Sequence, residues 1–127
     1  MNKTARLGKL LIGAAVIVPA LAQPDADAHG VWMRGDGNAR VRIGPCGAKL
    51  CATNLWIRDS GKGEAVGDKL VMTVKPQSST ELVGEAYDQK RNLTYAMHIT
   101  VQKNALSTRG CIVGGLLCNT MTWSRVR

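Results

Sequence analysis

Residues 92–102 read NLTYAMHITVQ, and this stretch alternates strictly between apolar residues and polar or small ones. Side chains of a β-strand point in turn to opposite faces of the sheet, so the pattern predicts a half-buried strand. On the other face, His98 is predicted to point away from the protein interior. The predicted inner face carries Leu93, Tyr95, Met97, Ile99 and Val101.

Other segments of strand length follow residue 29, and Gly, Pro, Asn or Asp bounds each of them. They read GVWMR, ARVRIGP, NLWIR, KLVMTV, TELVGEAYD, ALSTRGC and NTMTWSRV. A short helix near Asp68 is the one helical alternative, but strand formers and a proline there favour a strand. The sequence therefore predicts an all-β protein, a small antiparallel barrel of about eight strands. The polar, glycine-rich residues 59–69 are expected to form an ordinary connection or a lid at its rim.

The first 22 residues have the parts of a secretory signal: a basic start, an apolar run and an A-x-A cleavage pattern that ends at Ala22. A second such pattern ends at Ala28, so both cleavage positions stay open. We predict a signal peptide over 1–22, a short linker over 23–29 and a barrel domain over 30–127. An exported protein, periplasmic or secreted, is expected.

Four cysteines stand in two close pairs, with four residues between Cys46 and Cys51 and six between Cys111 and Cys118. An even number in a small exported chain predicts disulfides. Each pair flanks a predicted turn whose ends come close enough to bridge, which favours the pairings Cys46–Cys51 and Cys111–Cys118. The crossed pairings stay open, because four cysteines allow three connectivities. The spacings are not typical of zinc knuckles or thiol oxidoreductases, so no metal site is predicted.

The charge is positive: 14 Lys and Arg and all nine acidic residues follow residue 22, for a net charge of +5. A positive field favours anionic partners, and weak contact with an anionic envelope surface is expected. The cations are dispersed, with Lys90-Arg91 as the longest basic run, and aromatic residues are scarce. A dedicated nucleic-acid site is therefore not predicted.

Catalytic signals are absent from the sequence. His29 and His98 are the two histidines, no G-x-S-x-G motif occurs, and the carboxylates are scattered. The sequence predicts a protein that is not an enzyme, with no catalytic residue and no cofactor.

Two tryptophans and an arginine stand near the two ends of the predicted barrel. Gly30 and Trp32 open the first strand, while Trp123 and Arg125 lie on the last. These four residues are predicted to close the barrel, with the Arg125 guanidinium stacked on the indole of Trp32. The alternative is that both tryptophans are simply large core side chains.

Several stretches together resemble a bacterial family of small exported proteins known as domain of unknown function 2147. They are RVRIGPCGAKLCATNLWIRD, VGDKLVMTVKP, GEAYDQKRNLTY and LSTRGCIVGGLLCNTMTWSRV, and the likeness extends over residues 30–126. The resemblance implies a calycin-like fold with a lipocalin-type eight-stranded barrel and a cavity for a small hydrophobic molecule, without an established activity. Ala52 replaces the family's usual glycine and Gln89 its usual proline, which puts the local turns in doubt.

An eight-stranded barrel is either filled by its own side chains or holds one small ligand. The leading hypothesis is a non-catalytic protein that binds a small hydrophobic or amphipathic ligand, such as a lipid or fatty acid. The alternative is an envelope or secreted interaction or structural protein with a filled barrel. The sequence gives no signal for an oligomeric state. Cavity candidates are Leu55, Leu70, Met72, Leu93, Tyr95, Met97, Ile99 and Val101.

Overall fold

The structure, a computed structural model, describes residues 23–112 and 114–127. The predicted signal peptide lies outside these residues. One short helix, α1, spans Pro24–Asp27, and a 3₁₀ turn spans Ser60–Lys62. The strands are β1 Gly30–Arg34, β2 Ala39–Cys46, β3 Lys49–Ile57, β4 Lys69–Pro76, β5 Glu81–Asp88, β6 Leu93–Val101, β7 Ala105–Ile112 and β8 Leu117–Arg125.

The eight strands form one closed antiparallel barrel, as predicted. Each strand pairs with the next, and β1 also pairs with β8, where Trp32 lies opposite Arg125 and Arg34 opposite Trp123. Closure gives every strand a neighbour on both sides. Among the described residues, no helix is long and apolar enough to cross a membrane.

The barrel has two different ends. The end that we call the closed end holds α1, the C-terminus and the β2–β3, β4–β5 and β6–β7 turns. The mouth, at the opposite end, holds the other four connections. One disulfide lies at each end: Cys46–Cys51 in the β2–β3 hairpin and Cys111–Cys118 in the β7–β8 hairpin, with Cα–Cα distances of 5.7 and 4.0 Å. The predicted local pairing is confirmed.

Large apolar side chains fill the half of the barrel next to the closed end. Trp32, Leu82 and Ile99 are fully buried, and Val101 and Leu106 are nearly so. These positions alternate with outward-facing residues on their strands, which follows from the two-residue period of a strand. This half is a packed core.

The segment 23–29, predicted as a linker, is part of that core. Pro24 begins α1, at a position where a proline costs no helical hydrogen bond. Ala28 is fully buried, and its carbonyl oxygen accepts a hydrogen bond of 2.9 Å from Nε1 of Trp32. A mature chain that begins at residue 23 keeps these contacts, whereas one that begins at residue 29 loses them.

Arg125 joins the chain ends at the closed end. Its guanidinium carbon lies 4.3 Å from the ring centroid of Trp32, which confirms the predicted stack. The same group donates hydrogen bonds to the carbonyl oxygens of Asp27 (2.8 Å), His29 (2.9 Å) and Lys103 (2.9 Å).

Gly30 makes room for this guanidinium. Its φ is +134°, a left-handed conformation that favours glycine, and a Cβ there would stand 2.7 Å from Nη1 of Arg125. The predicted role of Gly30 in barrel closure therefore has a steric basis.

Replacing Arg125 with methionine should lower the free energy of unfolding by about 2–3 kcal/mol, because three carbonyl oxygens and the stacked indole lose a charged partner. Chemical denaturation of the variant measures the loss. Arg127→Met, which removes the same charge from the exposed C-terminus, serves as the control and should change stability far less. Equal losses in the two variants would contradict a specific role for Arg125.

Candidate functional site

A cavity of about 300 Å³ occupies the mouth half of the barrel. Its walls are mainly apolar, and the interior is thus solid at one end and hollow at the other. The filled-core and cavity hypotheses each describe one half of the molecule. The apolar lining consists of Val41, Ile43, Ala52, Leu70, Met72, Tyr95, Met97, Ile99, Met121 and Trp123.

Five of the eight predicted cavity residues line this space: Leu70, Met72, Tyr95, Met97 and Ile99. Val101 is buried in the filled half instead. Leu93 begins β6 at the rim of the mouth and does not line the cavity, since 39% of it is exposed. A strand's alternation continues to its last residue, but burial stops where the barrel wall ends.

Leu55 was predicted to face the interior, and this prediction is wrong. The register of β2 and β3 shifts by one residue, so that Arg40 pairs with Trp56 while Val41 pairs with Asn54. Leu55 is the extra residue of this β-bulge and is 39% exposed. Asn54 takes the inward position at the cavity wall.

Trp123, predicted to help close the barrel, pairs with Arg34 in the β1–β8 ladder and also lies on the cavity wall. It faces inward two residues before Arg125, and its Nε1 donates a hydrogen bond of 3.0 Å to Oγ1 of Thr108. This bond satisfies the indole inside the barrel and fixes the orientation of the ring.

An ion pair at the mouth fastens the β3–β4 loop to the end of β1. Arg34 binds both carboxylate oxygens of Glu64, at 2.5 and 2.7 Å, and also contacts Asp36 at 3.0 Å. Asn38 is buried, and its Nδ2 donates to Glu64 at 2.9 Å and to the carbonyl of Asp59 at 3.2 Å. Paired hydrogen bonds between a guanidinium and a carboxylate fix geometry as well as charge.

These contacts set the protonation states at the mouth. The hydrogen bonds from Arg34 lower the pKa of Glu64 below its usual range, against the opposing effect of burial. The same pair raises the pKa of Arg34. Both groups are therefore ionised at neutral pH, and Glu64 is poorly suited to act as a proton donor.

A second cluster fastens the other side of the loop. Asp88 is buried and binds Nη1 of Arg91 at 2.9 Å, while its other oxygen accepts from the backbone N–H groups of Lys90 and Arg91. Lys90 reaches the carboxylate of Asp68 at 3.2 Å, and both Lys90 and Arg91 donate to the carbonyl of Gly63. The predicted rim loop is thus held at both flanks.

Charged residues at the cavity mouth balance one another. Three cations and three anions line it: Arg34, Lys69 and Arg91, and Glu64, Asp68 and Asp88. Within residues 23–112 and 114–127, the hydroxyl of Tyr95 on the cavity wall has no hydrogen-bond partner. In the same part of the chain, no group of three His, Cys, Asp or Glu residues is placed to hold a metal ion.

Sequence reasoning did not identify the Arg34–Glu64–Asn38 cluster. Its members are separated by up to 30 positions and lie in turns or at a strand end, where no periodic pattern marks them. The placement of residues 59–69 at the rim was the one sequence signal that pointed to this region. The outward direction of His98 was predicted correctly, since it contacts Glu81 at 3.1 Å on the barrel's outer face.

Comparison with known proteins agrees with this architecture. Residues 30–125 match the model of a family described as uncharacterized proteins conserved in bacteria, DUF2147. The chain belongs to this family. No curated protein matches the DUF2147 chain.

A solved structure described as a redesigned β-barrel is similar to the barrel of this chain. The TM-score is 0.56 at 12% sequence identity, over 84% of this chain and 97% of that one. At this identity the likeness shows the fold alone, a β-barrel.

Acid should release the β3–β4 loop from Arg34. Because the pKa of Glu64 is lower in the folded state than in the unfolded state, its ionised form stabilises the fold. That contribution is complete above the ordinary glutamate pKa of about 4.3 and disappears as the pH falls through the lowered value. Glu64→Gln should therefore lower the unfolding free energy at pH ~7 by on the order of 1.5 kcal/mol, and the deficit should shrink on acidification.

Denaturation at a series of pH values measures this difference. Glu85→Gln is the control, since Glu85 is exposed on the barrel's outer face and has no ion pair in the described part of the chain. A Glu64→Gln deficit that stays constant from neutral to acidic pH would count against the ion pair.

Proposed function

We propose that this barrel binds a small molecule that has an apolar body and an uncharged polar end. The observation that carries the proposal is the cavity of about 300 Å³, open at one end and lined by apolar side chains. Ligand sites in proteins are commonly concave, mostly apolar and provided with a few polar groups that orient the ligand. Tyr95 supplies such a group from the cavity wall.

The cavity volume sets the size of the ligand. A volume of 300 Å³ lies at the small end of known ligand pockets, and at about 30 Å³ per water-sized group it accepts on the order of ten non-hydrogen atoms. A medium acyl or alkyl chain fits this space. A long fatty acid or a whole phospholipid leaves most of its chain outside.

The mouth charges favour a neutral polar end over a carboxylate. Arg34 and Arg91 are already paired with Glu64 and Asp88, so neither offers a free guanidinium. Lys69, the third cation, stands at the rim and is exposed to solvent. A ligand carboxylate at the mouth would stand beside existing carboxylates and disturb these pairs, which costs free energy. A hydroxyl or amide avoids this cost and suits the hydroxyl of Tyr95.

We also propose that the fold is of the calycin type and that the protein is exported, periplasmic or secreted. The calycin-type fold is supported by the eight-stranded meander, the Gly30-x-Trp32 motif and the Arg125 stack at the closed end. Export is supported by the two disulfides, which are typical of oxidising compartments, and by the signal-like first 22 residues. The protein's own N-terminus, read by mass spectrometry after export, tests the expected start at residue 23.

We propose a binding role without catalysis. The carboxylates at the cavity are engaged: Glu64 has a lowered pKa beside Arg34, and Asp88 accepts three hydrogen bonds. A general acid needs a pKa near the working pH, which the environment of Glu64 opposes.

A series of primary alcohols tests the cavity. Affinity, measured by calorimetric titration, should rise about fourfold per methylene as each one is buried, and should stop rising near a chain of about ten atoms. 1-Decanol should bind at least as tightly as decanoate. An affinity that keeps rising to 1-hexadecanol would contradict the volume argument, and the absence of binding by every alcohol would overturn the proposed function.

Gly110 offers a substitution that fills the cavity. It lines the wall, and a Cβ there would stand 3.5 Å from Cε of Met97, an ordinary contact. Gly110→Leu should weaken 1-decanol binding at least about tenfold because the added carbons occupy ligand space. Gly110→Ala is the matched control and should keep both fold and binding. Undiminished binding by a folded Gly110→Leu protein would place the ligand elsewhere.

A further inference from the structure

The outer face of strands β2, β3 and β4 is basic. Five exposed cations stand on it, and these three strands contain no aspartate or glutamate. The cations are spread over residues 40–75, but the strand register collects them. Arg42 lies opposite Thr53, and Thr53 lies opposite Lys69, in one row across three strands. We call this surface the basic face; it consists of Arg40, Arg42, Lys49, Lys69 and Lys75.

The acidic residues lie elsewhere. Two are on α1, four are in the turns and loop at the mouth, and three are on β5. Glu85 on β5 lies opposite Thr73 of β4 and marks one border of the basic face. The fold thus separates charges that are dispersed along the sequence.

An aromatic and an aliphatic side chain project from the basic face near the mouth. The β-bulge turns Leu55 and Trp56 outward, and they are 39% and 37% exposed. The guanidinium of Arg40 lies 5.1 Å from the ring centroid of Trp56. Tryptophan beside arginine suits the boundary between lipid head groups and acyl chains, where an indole is half solvated and a guanidinium meets phosphate.

We propose that the basic face docks on the surface of an anionic lipid bilayer, with Leu55 and Trp56 at the level of the head groups. Neighbouring strands are about 4.8 Å apart, so the strand backbones that carry the cations of β2 and β4 are separated by only about 10 Å. Each basic residue near an anionic leaflet strengthens binding to the bilayer surface about fivefold. One exposed indole is too few for a stacking platform that holds single-stranded nucleic acid. The proposal does not depend on a ligand in the cavity.

Binding to vesicles tests the proposal. We compare phosphatidylcholine vesicles with and without phosphatidylglycerol, at about 0.05 M and about 0.5 M salt, because salt screens surface charge. The protein should sediment with the anionic vesicles at low salt and dissociate at high salt. Failure to bind the anionic vesicles at low salt would overturn the proposal.

A matched pair of variants separates the basic face from the overall charge. Arg42→Gln/Lys75→Gln removes two cations from the face, whereas Lys103→Gln/Arg109→Gln removes two from the β6–β7 turn and β7 on another side of the barrel. Arg42→Gln/Lys75→Gln should lower the partition coefficient onto anionic vesicles about 30-fold. Lys103→Gln/Arg109→Gln should leave this coefficient close to that of the unaltered protein. Equal losses would show attraction by net charge alone and would overturn the proposal.

Quenching of tryptophan fluorescence by brominated acyl chains tests the orientation. Trp32 is fully buried and Trp123 faces the interior of the barrel, whereas Trp56 is exposed on the outer wall. Contact quenching should therefore come mainly from Trp56 and disappear in Trp56→Phe. Quenching that survives this substitution would contradict the orientation. Tighter binding to a single-stranded oligonucleotide than to the anionic vesicles, with the same dependence on Arg42 and Lys75, would assign the face to nucleic acid and overturn the lipid proposal.

Discussion

The stack of Arg125 on Trp32 is the contact on which the rest of the barrel depends. It joins the last strand to the first at the place where closure is achieved, and the same guanidinium holds backbone carbonyls of Asp27, His29 and Lys103. One side chain therefore fixes the N-terminal segment and the β6–β7 turn. Because this end is sealed and its interior is packed, the free volume of the barrel lies at the mouth. The direction in which a ligand can enter follows from that closure.

The mouth is held together by polar contacts. Burying Asn38 and Asp88 costs free energy unless their polar atoms are satisfied, and both side chains are fully engaged in fastening the β3–β4 and β5–β6 connections. The ion pairs hold the loop without adding net charge to the cavity entrance. Rim shape and rim charge are thus set by the same groups, and a ligand that needs a free cation competes with the contacts that keep the entrance in place.

The sequence predicted the features that depend on local pattern. Alternation predicted the strands, the short cysteine spacings predicted the disulfides, and Gly30-x-Trp32 with Arg125 predicted the closed end. Features that depend on register were missed. The bulge at Leu55 adds one residue to β3, and no alternation within an apolar run such as NLWIR reveals it. Arg34 and Glu64 meet only after folding, and the basic face combines cations from three strands that are dispersed along the chain.

The position of the bulge connects the two proposals. Leu55 and Trp56 lie near the mouth end of β3, while Lys49 lies near the closed end, so the basic face extends along the wall of the barrel. A barrel docked through this wall keeps its mouth unobstructed and brings the rim beside Trp56 to the head-group layer. The cations and anions at the entrance balance one another, so an anionic bilayer neither repels nor attracts the mouth itself. An apolar molecule of about ten atoms then has a short path between bilayer and cavity, which gives the location of the basic face a functional reason.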